Sequence, residues 1–93
     1  MAPLDTLRPQ IMNLATRHGA LNVRLFGSFA RGEDSPESDV DLLVDMEPGR
    51  SLLDLVALKL DLEELLGRGV DVITTSSIHW LLRRRILAEA KPL

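Results

Sequence analysis

"LFGSFARGEDSPESDVDLLVD", residues 25–45, is the stretch on which the reading of this chain turns. An apolar pair, Leu25-Phe26, gives way to a Gly27-Ser28 step and then to a polar segment containing Pro36. It closes in a strand-like run, "VDLLVDM" over 40–46. At a side-chain period of two, Val40, Leu42, Val44 and Met46 point one way, while Asp39, Asp41, Leu43 and Asp45 point the other. Like charges on one strand face repel one another and raise their own pKa values unless something positive sits among them. Such a face needs a reason.

Outward from this stretch the elements follow from periodicity and punctuation. Leu4, Leu7, Ile11, Leu14 and Ala15 recur at helical spacing, with Asp5 or Thr6 as caps, Pro9 in the first turn and Gly19 at the stop. "NVRLF" (22–26) reads as a strand, residues 28–31 as a brief helical turn, and "GEDSPES" (32–38) as a loop. After Pro48-Gly49, Ser51 and Asp54 make a capping-box start to a helix over 51–66, with Leu52, Leu55, Val56, Leu62, Leu65 and Leu66 as its apolar stripe. Gly67 and Gly69 end it. "VDVIT" (70–74) is a third strand, and Ser76 or Ser77 caps a last helix carrying Ile78, Leu81, Leu82, Ile86 and Ala90 on one side. The order predicts an α/β arrangement, a small three-stranded sheet covered by helices. Alternation alone leaves its strands parallel or mixed.

At 93 residues the chain is read as one domain, 1–93, with an aliphatic core, since aromatic residues make up only 3% of it. No cysteine is present, which removes disulfides, thiolate zinc sites and a thiol nucleophile, and fits a reducing compartment. The first twenty residues lack the apolar segment of a signal peptide, and charges interrupt every Leu-rich run before it reaches membrane-spanning length. A cytoplasmic protein without membrane attachment is expected. The formal net charge of -3 argues against direct nucleic-acid binding, and Arg83-Arg84-Arg85 reads as the solvated face of a helix.

Asp39 and Asp41 lie two residues apart on one face, with Cα atoms roughly 6.7 Å apart. Asp71 offers a third carboxylate from the neighbouring strand. A divalent cation relieves the mutual repulsion, and Mg²⁺ is typically held by one or two carboxylates together with phosphate oxygens. Gly27 allows a ligand close to the backbone, and a helical turn starting at Ser28 offers N–H groups and a hydroxyl to an anion. Metal seat and phosphate cradle at adjacent strand ends are what phosphoryl or nucleotidyl transfer requires. A P-loop is rejected because Glu33-Asp34 stands where Lys-Ser/Thr belongs, and an EF-hand because Leu43 replaces a ligand and no glycine follows. Asp45 continues the face and is read as surface. His18 is read as decoration of a helix end, and His79 as helix surface beside Trp80, a packing aromatic.

The stretch "GSFARGEDSPESDVDLLV" resembles the signature of the DNA polymerase β-like nucleotidyltransferase superfamily: Gly-Ser, ten residues, then Asp-x-Asp. Its minimal, single-domain bacterial members are the most similar, on Gly27, Ser28, Ala30, Arg31, Gly32, Ser38, Asp39, Asp41 and Leu42. "VDVI" resembles the strand of the family's third acid, at Asp71. The resemblance implies the nucleotidyltransferase fold, a small mixed three-stranded sheet flanked by helices. It also implies residue roles. Asp39, Asp41 and Asp71 would bind one or two Mg²⁺ ions, with Asp71 helping to deprotonate the acceptor. Gly27 and Ser28 would hold the β- and γ-phosphates of ATP, and Arg31 would neutralise phosphate charge.

With so little chain beyond this core, the sequence is similar to the minimal nucleotidyltransferases that act as antitoxins beside a HEPN-domain toxin. Such proteins transfer AMP to a tyrosine of the toxin. Two alternatives stand beside this: a binding antitoxin subunit without catalysis, and a transferase for a small hydroxylated molecule. The Leu-rich helices leave a homo-oligomer open.

Overall fold

The computed structural model describes residues 4–93. Its elements alternate as α1 (Leu4–Arg17), β1 (Ala20–Phe26), α2 (Ser28–Arg31), β2 (Val40–Met46), α3 (Leu52–Leu66), β3 (Val70–Thr74), α4 (Trp80–Glu89) and β4 (Lys91–Pro92). The strands form one mixed sheet in the order β3-β2-β1-β4. β1 runs antiparallel to β2 and to β4, whereas β2 and β3 are parallel. α3 supplies the crossover that a parallel pair needs.

The sheet has four strands, not the expected three. The additional strand is two residues long, too short for alternation to reveal. Lys91 pairs with Leu25 and Pro92 with Arg24, and the Leu93 N–H donates to the Val23 carbonyl at 3.1 Å. An edge is the place where a strand tolerates proline's missing N–H. β1 also begins two residues earlier than its alternation suggests. Its register shifts between Leu21 and Arg24, and Asn22 there takes φ 51°, a bulge that breaks the period-two signal.

One sheet face and two helices enclose the core. Val40, Leu42 and Val44 of β2, Val70 and Val72 of β3, and Val23 of β1 pack with Ile11 and Ala15 of α1 and with Leu58, Leu62 and Leu66 of α3. Every one of these side chains is buried. The expected stripe of α3 is partly corrected: Leu62 and Leu66 are in the core with Leu58, and Leu55 and Leu65 pack against it, but Leu52 is 73% exposed and Val56 is also exposed. The capping box forms as expected. Ser51 Oγ accepts from the Leu53 N–H at 3.2 Å, and the Ser51 N–H donates to Asp54 Oδ2 at 2.8 Å.

Three end effects differ from expectation. Asp5 and Thr6 lie inside α1 instead of capping it, and Pro9 falls in the second turn. Ser76 and Ser77 form a 3₁₀ turn with Thr75 and bond to Thr74, while His79 caps α4 by accepting the Leu81 N–H on Nδ1 at 3.2 Å. No residue of α4 is buried, and Trp80, read as a packing aromatic, is 76% exposed beside the His79 ring. No helix among the described residues is long and apolar enough to cross a membrane.

Candidate active site

The site is assembled at one end of the sheet, where β1 leaves it and β2 enters. In register, Phe26 stands opposite Asp41 on one side of β2, and Asp71 stands opposite Asp41 on the other. Residues paired across neighbouring strands share a face, and the strands lie about 4.8 Å apart. Asp41 and Asp71 are therefore side by side.

Gly27 follows with φ 77° and ψ −154°, backbone in which a side chain is strained. A Cβ on it would also run into the Asp41 carboxylate. The glycine is thus required twice, by conformation and by space. α2 starts immediately at Ser28, and no side chain caps its first turn. Buried Ala30 anchors this turn, and Gly32 ends it in the left-handed region.

The loop from Gly32 to Asp39 is pinned by Arg68, just after α3. Arg68 Nη1 donates to the carbonyls of Ser38 (2.9 Å) and Ser35 (3.3 Å), and its guanidinium lies 5.1 Å from the Phe29 ring centroid. The loop then joins β2 as the Val40 N–H donates to the Gly69 carbonyl at 2.9 Å. The Asp39 carboxylate occupies the space that a Cβ on Gly69 would fill. Gly69 is more than a helix stop. Its bareness accommodates one of the candidate metal ligands.

Burial pushes the Asp41 carboxyl above the usual aspartate range, and the charges of Asp71 and then Asp39 push it further, against an opposing pull from Arg31. Asp39, Asp41 and Asp71 thus share one electrostatic neighbourhood. Among the described residues no three acidic or histidine side chains close around a single point, so the three do not form a ready-made cage. The donors nevertheless suit Mg²⁺, which accepts one or two carboxylates and takes its other ligands from phosphate and water. Hard oxygen donors with uncompensated negative charge fit that ion.

Arg31 closes the other side of the Gly27-Ser28 step. Its Nη1 donates to Glu89 Oε1 at 2.5 Å and its Nε to Glu33 Oε2 at 3.2 Å. These partners hold the guanidinium firmly charged. Glu89 in turn is kept below the usual glutamate range, chiefly by Arg31, with a smaller contribution from the Gly27 backbone N–H. Sequence reading missed Glu89, Arg68 and Gly69. Lys59 of α3, bonded to Glu63 at 2.9 Å, lies within electrostatic reach of Asp71 and Asp39.

Residues set outside the site serve the scaffold. Asp45 accepts from Thr75 (2.5 Å), Asn22 (3.0 Å) and Arg24 (3.4 Å), tying β1, β2 and the 3₁₀ turn together. His18 does more than decorate a helix end: its Nε2 lies 2.7 Å from Asp61 Oδ2 and joins α1 to α3.

A bare strand end beside paired aspartates on parallel neighbours is the arrangement that a nucleotidyl-transferring class of protein requires. The chain belongs to the nucleotidyltransferase domain family, whose model matches residues 10–93, and it is a nucleotidyltransferase of the minimal kind. A Methanocaldococcus jannaschii relative, provisionally named a protein adenylyltransferase, is 48% identical over 87 residues, covering 94% of each chain. A solved structure provisionally described as a minimal nucleotidyltransferase shares 49% identity with a TM-score of 0.86, over 99% of this chain and 97% of that one. The fold also recurs, with 19% identity and a TM-score of 0.72, in a Shewanella oneidensis complex of a tri-AMPylated HEPN toxin with its MNT antitoxin, over 95% of this chain and 69% of that one.

Proposed function

We propose that the protein is an Mg²⁺-dependent adenylyltransferase that moves AMP from ATP to a side-chain hydroxyl of a partner protein, as antitoxin to a HEPN-domain toxin. The observation that carries this is the Asp41–Asp71 pair, with Asp39 alongside and Gly27 pressed against Asp41. The relative named as a protein adenylyltransferase and the fold shared with the antitoxin of an AMPylated HEPN toxin support the choice of acceptor. The whole reading concerns one domain, residues 1–93, acting in the cytoplasm.

In this reading Asp39 and Asp41 hold the metal and Asp71 completes its surroundings. The ion, when bound, neutralises charge on the triphosphate and on the pyrophosphate that departs. Gly27 and Ser28 hold the β- and γ-phosphates through backbone N–H groups and the Ser28 hydroxyl. Arg31 adds positive charge beside them. The acceptor oxygen bonds to the α-phosphorus as the bond from that phosphorus to pyrophosphate breaks, and the hydroxyl proton passes to Asp71 or to water.

The test is incubation of the protein with α-labelled ATP, Mg²⁺ and the product of the neighbouring gene. Label is expected on the partner and is expected to vanish with Asp39→Ala or Asp41→Ala. No transfer under any condition refutes the reading. Protection of cells by the doubly substituted protein shows instead a binding antitoxin that needs no catalysis.

A further inference from the structure

The phosphate side of this site already holds an anion of the protein's own. Arg31 ends the short helix that begins at Ser28, and its Nη1 and Nε are engaged by Glu89 and Glu33. Of the two acids, Glu33 is a neighbour in the loop, 67% exposed, whereas the Glu89 side chain is 21% exposed. Glu89 is the last residue of α4, a helix that buries nothing, yet its position is fixed from the other side. The chain directly after it forms β4 on the edge of β1, and β1 runs straight into Gly27. The carboxylate is thus tethered at the lip of the site by the sheet rather than by the helix. Tethering raises its effective concentration there far above that of a free anion.

We propose that Glu89 is a built-in substitute for a phosphate group, engaging the Arg31 guanidinium beside Gly27 until the triphosphate of the nucleotide displaces it. This rests on the assignment of Gly27, Ser28 and Arg31 to the phosphates. Glu89 opposes the nucleotide in two ways. It occupies the Arg31 guanidinium, whose planar fork suits a two-pronged grip on phosphate oxygens. It also adds a negative charge to a neighbourhood that contains Asp39, Asp41 and Asp71, and its field reaches Asp41. Neutralising Glu89 frees Arg31 Nη1 and removes repulsion in a single step. The side chain alone must swing away, since the β4 hydrogen bonds keep the backbone in place.

The test is calorimetric titration of the wild type, Glu89→Gln and Glu89→Ala with a non-hydrolysable ATP analogue and Mg²⁺ at low salt. Both variants are expected to bind about 3- to 10-fold more tightly, the range of a partly exposed ion pair plus relief of repulsion. The gain is expected to shrink to the part due to relief of repulsion when Arg31→Ala is added, because the two residues then have nothing to compete for. A helix-anchoring role for Glu89 would change the thermal midpoint but would not produce tighter binding that depends on Arg31. Unchanged or weaker binding by both variants overturns the inference and leaves the proposed function standing. A fall in transfer rate at unchanged affinity likewise overturns it. If none of the proteins, wild type included, binds the nucleotide, the proposed function fails and this inference with it.

Discussion

Gly27 and Asp41 lie against each other with no room for a single methyl group between them. The Asp41 carboxylate sits where the Cβ of any other residue at position 27 would be. Gly27→Ala therefore has to move the carboxylate or the turn, and it also places a side chain at φ 77°. Strain of this kind costs about 1–3 kcal/mol, and a misplaced catalytic group costs on the order of 100-fold in rate. A clear loss of thermal stability with a drop in AMP transfer of about two orders of magnitude is expected, read by calorimetry and label transfer on one preparation.

Asp41 and Asp45 stand on the same strand face and respond to pH in opposite senses. The Asp41 carboxyl is raised, so above the ordinary aspartate value of about 3.9 the folded protein holds a proton that the unfolded chain has lost. Its contribution to stability declines as pH climbs through the folded value. Asp45 is lowered, first by Thr75 and then by Asn22, so it stabilises above the ordinary value and that gain is lost as pH falls through its folded value. In metal-free buffer near neutrality, Asp41→Asn is expected to raise the Tm and Asp45→Asn to lower it, the latter through a stability loss of less than about 1 kcal/mol because the group is partly solvated. Both differences shrink in acid. Thermal unfolding between pH 3 and pH 8 reads both; a fall in Tm with Asp41→Asn near neutrality contradicts the assigned direction.

Arg68 is the clasp of the 32–39 loop. Arg68→Ala removes two hydrogen bonds to loop carbonyls and the stacking on Phe29, an expected loss of about 1–2 kcal/mol. Since the loop delivers Asp39, nucleotide affinity in Mg²⁺ should weaken several-fold as well. Arg68→Lys keeps the charge without the fork, so its values should fall between those of the wild type and the alanine variant. Denaturant unfolding and titration with the ATP analogue check the two effects.

The α3 stripe separates core from surface by one comparison. Leu62 is completely buried, and Leu62→Ala should cost about 2–5 kcal/mol. Leu52, which belongs to the same sequence stripe, stands in solvent, and Leu52→Ala should change stability by no more than about 0.5 kcal/mol. Equal losses in urea unfolding contradict the packing described.

How much could be read from the chain beforehand depended on how local the cause was. β2, β3 and α2 were legible because alternation and a Gly-Ser step are written in consecutive residues. The capping box of α3 was legible for the same reason. β4 was not, since two residues on a sheet edge owe their extended form to β1 and not to their own identity. The cap of α4 was misassigned because serine is the commoner cap, whereas here the His79 ring reaches the Leu81 N–H. Within the site, Gly27 at a strand end and Asp71 on a neighbouring strand were legible from order and spacing, but the register that sets Asp71 opposite Asp41 was not, because alternation leaves strand direction open. Glu89 lies 58 residues from Arg31 and shares no spacing rule with it, so only the folded chain brings them together. Leu52 and Val56 misled because helical periodicity identifies an apolar stripe without saying how much of it another element covers.

Trp80 has a practical consequence. It is the sole tryptophan of a chain without tyrosine, and it projects from the same helix that Glu89 terminates. Ultraviolet emission excited at the indole band therefore originates from a single place in the molecule. Any reorientation of that arm, on meeting a nucleotide or a second protein, would be visible optically without a dye having to be attached.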